Sequence, residues 1–291
     1  MNLDIVTTPL LAAATVVLLR DTPSGLEVFL MKRHSRSDVL GGAYVFPGGK
    51  VDAADADLDM ALHLDQPLAL LHTGLNEASI SERSAGGLYV AAMREVFEES
   101  GILFAKTVSG QIVDCALAAG LLCEGQGFNA MLRQMALQLQ TSQLVPWTRW
   151  ITPTSPSVMN KRFDTRFFIS TVPAGQTAIH DDIETTDSVW LSPRIALEQY
   201  WAGQIELAPP QIMSLVQLNR HGSVRSVLLE ARGRLPPLIQ PEPFDDGGGR
   251  VICYPGDARH SVQMLAMPGP TRLYYRNQRF EPDGGFDQLI G

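Results

Sequence analysis

A chain of 291 residues, 45% of them hydrophobic, is long enough to bury one large or two small cores. A net charge of −8 and a pI near 5.2 argue against non-specific attraction to nucleic acid or an anionic membrane surface. Cys115, Cys123 and Cys253 lack metal-type spacing, so they read as buried bystanders in a reducing, cytoplasmic compartment. The apolar run Leu10–Leu19 is too short to cross a bilayer and has no basic leader.

In chain order, Ala13–Leu19 reads as a buried strand, and the turn from Asp21 to Gly25 leads into a second strand, Leu26–Met31. Lys32, Arg33, His34 and Arg36 follow, serving either an anionic substrate or a solvated basic loop. Phe46-Pro47-Gly48-Gly49-Lys50-Val51-Asp52 is a strand end running into a glycine turn. Residues 56–85 carry no paired metal ligands and no phosphate-cradling glycine loop; Pro67 interrupts them, and His63 and His72 read as satisfied side chains.

Gly86–Ile102 reads as a helix. Glu95, Glu98 and Glu99 sit at i, i+3 and i+4 and project from one side. Tyr89, Val90, Met93, Val96 and Phe97 form an apolar stripe opposite, and Gly101 is placed for a left-handed stop. Three like charges on adjacent turns suit either a solvated face or a hard divalent cation, which takes carboxylate oxygens and keeps water for a phosphorylated substrate.

Leu103–Thr107 then reads as a strand, Ile112–Leu122 and Phe128–Leu139 as two helices, and Arg149–Pro153 as another strand or turn. Lys161–Ile169 alternates, placing Arg162, Asp164 and Arg166 on one face: an internally paired surface ladder, or arginines for a substrate phosphate. Pro193–Trp201 and Pro209–Asn219 read as helices. From Leu235 a segment rich in proline, glycine and acid reads as a connector, followed by short strands expected to form an appended β-hairpin or small sheet folded back on the main body. Asp257 and His260 fit a turn better than a catalytic pair.

Phe46–Asp52 and Arg94–Ile102 together resemble the Nudix hydrolase signature, G-x5-E-x7-R-E-U-x-E-E-x-G-U. Arg94, Glu95, Val96, Glu98, Glu99, Gly101 and Ile102 match its second half. In the first half Gly49 matches and Asp55 stands where glutamate is expected, while residues 56–93 occupy the place of x7. A lengthened loop between two halves is entropically cheap if its ends stay put. The insertion, with Arg149–Pro153, Lys161–Ile169 and Glu184 ahead of Trp190, is similar to the Nudix 19-type branch, whose characterised members cleave coenzyme A and its esters. The coenzyme A motif of the family is matched at Arg33 and Gly42 and departed from at His34 and Asp38.

The resemblance implies an α/β fold: an α/β/α sandwich around a mixed sheet over residues 8–230, with a helical insertion at about 56–85 and a C-terminal β extension over 231–291. The alternation of strands and amphipathic helices agrees. It further implies a Mg²⁺ or Mn²⁺ cofactor held by Glu95, Glu98, Glu99 and the Gly48 carbonyl. Glu98 or Glu184 is the implied general base, and Arg94 orients the carboxylates from its i, i+4 position. Arg33, Arg36, Gly49, Arg162 and Arg166 are candidates for binding substrate. The implied partner is a small nucleotide of coenzyme A type, the alternatives being another dinucleotide or nucleotide-sugar, or a ligand sensed without cleavage, rather than nucleic acid or membrane, with a homodimer left open.

Overall fold

The structure, a computed structural model, describes residues 9–37, 40–111, 113–155, 161–181, 184–247 and 249–291. Its first hairpin pairs β1 (Leu11–Thr22) with β2 (Gly25–Arg33). β3 (Tyr44–Val45) adds to β2, and β4 (Gly48–Lys50) lies antiparallel on β1 with Gly48 opposite Thr15. The inserted residues fold into three short helices, α1 (Ala53–Ala56), α2 (Met60–His63) and α3 (Leu68–Leu75), with Pro67 at the N-cap of α3.

The acidic helix α4 (Glu82–Ser100) starts one turn before the expected Gly86, because Ser81 accepts a hydrogen bond from the Ser84 N–H at 3.0 Å and caps it. Ser81→Ala should therefore cost about 1 kcal/mol in a urea titration, with activity unchanged. Gly101 ends the helix in the left-handed conformation at φ 71°. The apolar stripe is buried as expected, with the Tyr89 ring 4.8 Å from that of Phe168.

Beyond α4 run β5 (Ala105–Thr107), α5 (Cys115–Cys123), α6 (Phe128–Gln134) and β6 (Leu137–Leu139). The helix expected over Phe128–Leu139 is thus shorter: Ala136 takes φ 49°, and Leu137 and Leu139 are buried in a strand antiparallel to β5. Ile112 lies outside the described residues, and Asp114 caps α5 by accepting from the Ala116 and Leu117 N–H groups.

β7 (Val145–Ile151), β8 (Phe163–Thr171) and β9 (Thr185–Leu191) complete the centre of the sheet. β8 runs parallel to β1, and β7 and β9 are antiparallel to β8 and β2. The sheet is therefore mixed. Period-two alternation sends Ala14, Val16, Leu18 and Phe168 to the face covered by α3, α4, α5 and α6. Val17, Leu19, Phe167 and Ile169 go to the other face, under α7 (Pro193–Trp201), α8 (Pro209–Leu218) and α9 (Val224–Arg232). This is the expected α/β/α sandwich.

The C-terminal segment is more deeply integrated than an appended hairpin. β10 (Leu238–Ile239) pairs parallel to β7 within the main sheet. β11 (Glu242–Asp245), β12 (Arg250–Cys253), β13 (Arg272–Arg276) and β14 (Arg279–Glu281) form a second sheet, followed by the short helix α10 (Asp287–Ile290). Tyr254, Leu273 and Phe280 belong to the same core as α7 and α8. The expected boundary at residue 231 falls inside α9.

Asp257 and His260 are occupied as turn residues. Arg272 grips the Asp257 carboxylate at 2.6 and 2.8 Å and holds its pKa down to about 2, while His260 Nε2 lies 2.9 Å from the Gln240 carbonyl. All three cysteines are free; Cys253 is buried, but Cys123 is exposed and Cys115 half-buried. Among the described residues no helix is long and apolar enough to cross a membrane.

Candidate active site

The two sequence-distant stretches meet. Gly48 donates its N–H to Glu99 Oε2 at 2.8 Å, tying the glycine turn to the acidic helix. Gly48 is required by its close pairing with β1, and Gly49 leaves room for the Glu95 carboxylate. Gly48 has φ 152°, and a Cβ there would lie 2.6 Å from Thr15 Cα; a Cβ on Gly49 would lie 2.5 Å from the Glu95 carboxylate.

Arg94 is the hub beneath the carboxylates. Its guanidinium is bidentate to Asp55, Nε to Oδ1 at 2.8 Å and a terminal nitrogen to Oδ2 at 3.0 Å. The other terminal nitrogen donates to Glu98 Oε2 at 2.9 Å and to Glu95 Oε1 at 2.8 Å. The i, i+4 contact with Glu98 follows the expectation. Contact with the adjacent Glu95 brings a second carboxylate to the same nitrogen. Asp55 also accepts from the Asp52 N–H at 2.8 Å, reciprocally capping α1. A shorter acid is thus fully used where the signature has glutamate.

Burial governs the titration of the acids. It pushes Glu95 up to about 7, with Arg94 pulling down and the charges of Glu98 and Glu184 adding to the rise. It pushes Glu99 up to about 8 against the Gly48 N–H, with Glu95 and Glu184 raising it further and Arg33 lowering it. Glu98 is also raised by burial, with Arg94 opposing. Burial works against the Arg94 charge too, but the Asp55 hydrogen bonds and the surrounding acids hold it cationic.

Some of these groups border a cavity of about 590 Å³, within the usual range for ligand pockets. Glu95, Glu99, Glu184, Gly48, Gly49 and Arg33 line it; Glu98, strapped to Arg94, does not. Glu184 is well exposed on the loop before β9, and its carboxylate lies 3.9 Å from Arg33. The Arg33 Nε is buried without a partner, an orphan donor at the wall of an acidic cavity.

The remaining candidates lie elsewhere. Arg36 is exposed and does not border the cavity. Arg162 spends its Nε on the Thr152 and Pro153 carbonyls, each at 3.2 Å. Arg166 faces the opposite side of the sheet from the cavity-lining Phe163, Thr165 and Phe167. It is buried and bidentate to Glu77 at 2.5 and 2.8 Å, and Arg149 pairs with both Glu77 and Asp164. The paired-ladder alternative describes it, as a buried cluster rather than a surface one. Glu77, missed in the sequence, anchors the insertion to β7 and β8. Asp38 lies outside the described residues, as do residues 182–183 of the loop before Glu184.

The oxygen donors suit a hard divalent cation. Among the described residues no three carboxylate, imidazole or thiol side chains already form a closed metal cage. Mg²⁺ does not require one, since it commonly takes one or two carboxylates and completes its octahedron with water and substrate phosphate. Glu95 and Glu99 fit that pattern.

The family model of the NUDT19 Nudix domain matches residues 5–218. The chain belongs to that family. As a Nudix protein it is a pyrophosphohydrolase. It is similar to acyl-coenzyme A diphosphatase NUDT19 of Xenopus laevis, at 26% identity over 82% of this chain and 72% of the relative. The human protein of the same name is 26% identical, covering 80% of this chain and 72% of its own length. The fold of the Nudix chain is also that of a NUDIX hydrolase from Alicyclobacillus acidocaldarius, with a TM-score of 0.63 and 24% identity over 79% of this chain and 98% of that one.

Proposed function

We propose that the chain hydrolyses the pyrophosphate bond of coenzyme A or an acyl-coenzyme A with Mg²⁺ or Mn²⁺, giving the phosphopantetheine half and adenosine 3′,5′-bisphosphate. The observation that carries this reading is one cavity bordered by Glu95, Glu99 and Glu184 and by Arg33 with its orphan Nε. The two relatives named acyl-coenzyme A diphosphatase support the choice of substrate.

In this reading Glu95 and Glu99 hold the cation beside the Gly48–Gly49 turn. When bound, it supplies Lewis-acid charge neutralisation and a more acidic water. Arg94, fixed by Asp55, keeps Glu95 in register. Arg33 binds a phosphate oxygen through charge-assisted hydrogen bonds. Glu184, whose carboxylate is exposed at the cavity, takes the proton of the attacking water; Glu98, tied to Arg94, does not border the cavity.

The direct test assays coenzyme A, acyl-coenzyme A, NADH, dinucleoside polyphosphates and nucleotide sugars with Mg²⁺ and with Mn²⁺. The expected result is cleavage of the coenzyme A compounds, abolished by chelation; binding without cleavage of any member would make the protein a sensor and overturn the reading. Arg33→Gln should raise KM about tenfold or more, the scale of a hydrogen bond to a charged group. An unchanged KM would remove Arg33 from phosphate binding.

A further inference from the structure

The cavity is much longer than its catalytic end. Glu95 sits against Gly49 on β4, β4 pairs with β1, β1 with β8, and β8 with β7. Trp150 on β7, opposite Thr165, also lines the cavity. Three strand spacings separate the two ends, so the cavity runs roughly 14 Å across the sheet.

Away from the carboxylates its walls are mainly apolar, with Thr152, Thr165 and Lys161 set among them. Leu11, Phe163, Phe167 and Trp150 rise from the sheet, and Ile252 and Phe280 roof it from the C-terminal sheet. A sugar or second nucleobase would bring more polar groups than these few side chains can pair. An extended, largely aliphatic chain would not.

One further polar group bordering the cavity lacks a partner. Gln211, at the start of α8, borders the cavity, is only 7% exposed, and its Oε1 has no hydrogen-bond partner. A buried amide oxygen without a donor costs stability in the empty protein, and a ligand N–H would remove that cost.

We propose that this mainly apolar arm seats the non-nucleotide half of the substrate, an uncharged chain bearing amide N–H groups, and that Gln211 accepts a hydrogen bond from it. The assignment rests on the pyrophosphohydrolase reading above and makes Gln211 and Ile252 determinants of specificity.

The test uses calorimetric binding of the two product halves, 4′-phosphopantetheine and adenosine 3′,5′-bisphosphate, together with melting of the ligand-free protein. Gln211→Met keeps the length of the side chain and removes the orphan acceptor. Phosphopantetheine affinity is expected to fall by about 3–10-fold, adenosine bisphosphate affinity to stay constant, and Tm to hold or rise. Equal affinity for phosphopantetheine in a folded Gln211→Met protein would overturn the proposal. Should that variant melt lower instead, Ile252→Phe narrows the same arm from above; it should weaken phosphopantetheine selectively, and an unaltered affinity there overturns the proposal equally. Because binding is read without turnover, a protein that cleaves no coenzyme A compound would defeat the proposed function and leave this test standing on its own.

Discussion

Exchanging Glu95 for Gln is expected to lower kcat by at least about 100-fold while leaving the metal-free fold as stable as before. The size follows from removing a charged group placed at the reacting centre, where such losses typically reach 10²–10⁴-fold. The unchanged stability follows from the surroundings. Burial already pushes Glu95 up to about 7, so the metal-free fold gains little from its charge, and Arg94 keeps its two bonds to Asp55. Glu99→Gln should behave alike, because the amide oxygen can still accept from the Gly48 N–H. The distinguishing measurement is the thermal shift on adding Mg²⁺ or Mn²⁺. A cation at 100 times its Kd stabilises the wild type by about 2.7 kcal/mol, and both variants should lose most of that shift. Turnover near the wild-type rate in either variant, or an intact metal-induced shift, would take that carboxylate out of the metal site.

What could be read from the sequence followed from rules that act over one turn or one strand. The spacing of Glu95, Glu98 and Glu99 put three acids on one face, and the opposed apolar residues gave the buried stripe that holds α4 on the sheet. The strand pair β1 and β2 was legible from hydrophobic runs around a Pro-Gly turn. Pairings across long separations were not. Nothing local to Glu77 announces that it will neutralise Arg149 and Arg166, and a period-two pattern cannot say which face of β8 meets the cavity. Leu137 and Leu139 continue a helical pattern on paper, yet a left-handed Ala136 turns them into a strand that finds β5. The C-terminal segment misled for a compositional reason: its prolines, glycines and acids mark loops, while the few apolar residues between them, Ile239, Ile252, Leu273 and Phe280, complete the core.

Asp55→Ala is expected to be among the most damaging single changes in the chain, costing about 3–5 kcal/mol in a urea titration, because it takes the bidentate partner from a buried guanidinium. The Asp55 side chain is 2% exposed and that of Arg94 10%, so water can replace little of the lost bidentate contact. Glu95 and Glu98 remain on one terminal nitrogen and the Lys50 carbonyl, at 3.0 Å, on the other, but the Nε bond is lost and Asp52 is mostly exposed 3.8 Å away. Loss of the reciprocal cap on α1 adds to the damage. Activity should fall along with stability in whatever fraction stays folded, since Arg94 would no longer fix the position of Glu95. Asp55→Glu, which places the signature's own residue at this position, should keep the charge and lose much less. The decisive comparison is the double variant Asp55→Ala with Arg94→Met. If the cost comes from the orphaned charge, removing that charge should recover part of the stability while abolishing the alignment of Glu95, so the double variant is more stable than Asp55→Ala alone and no more active. A double variant whose losses simply add would show that the two residues contribute separately, and that the link between Asp55 and the catalytic helix is packing rather than charge.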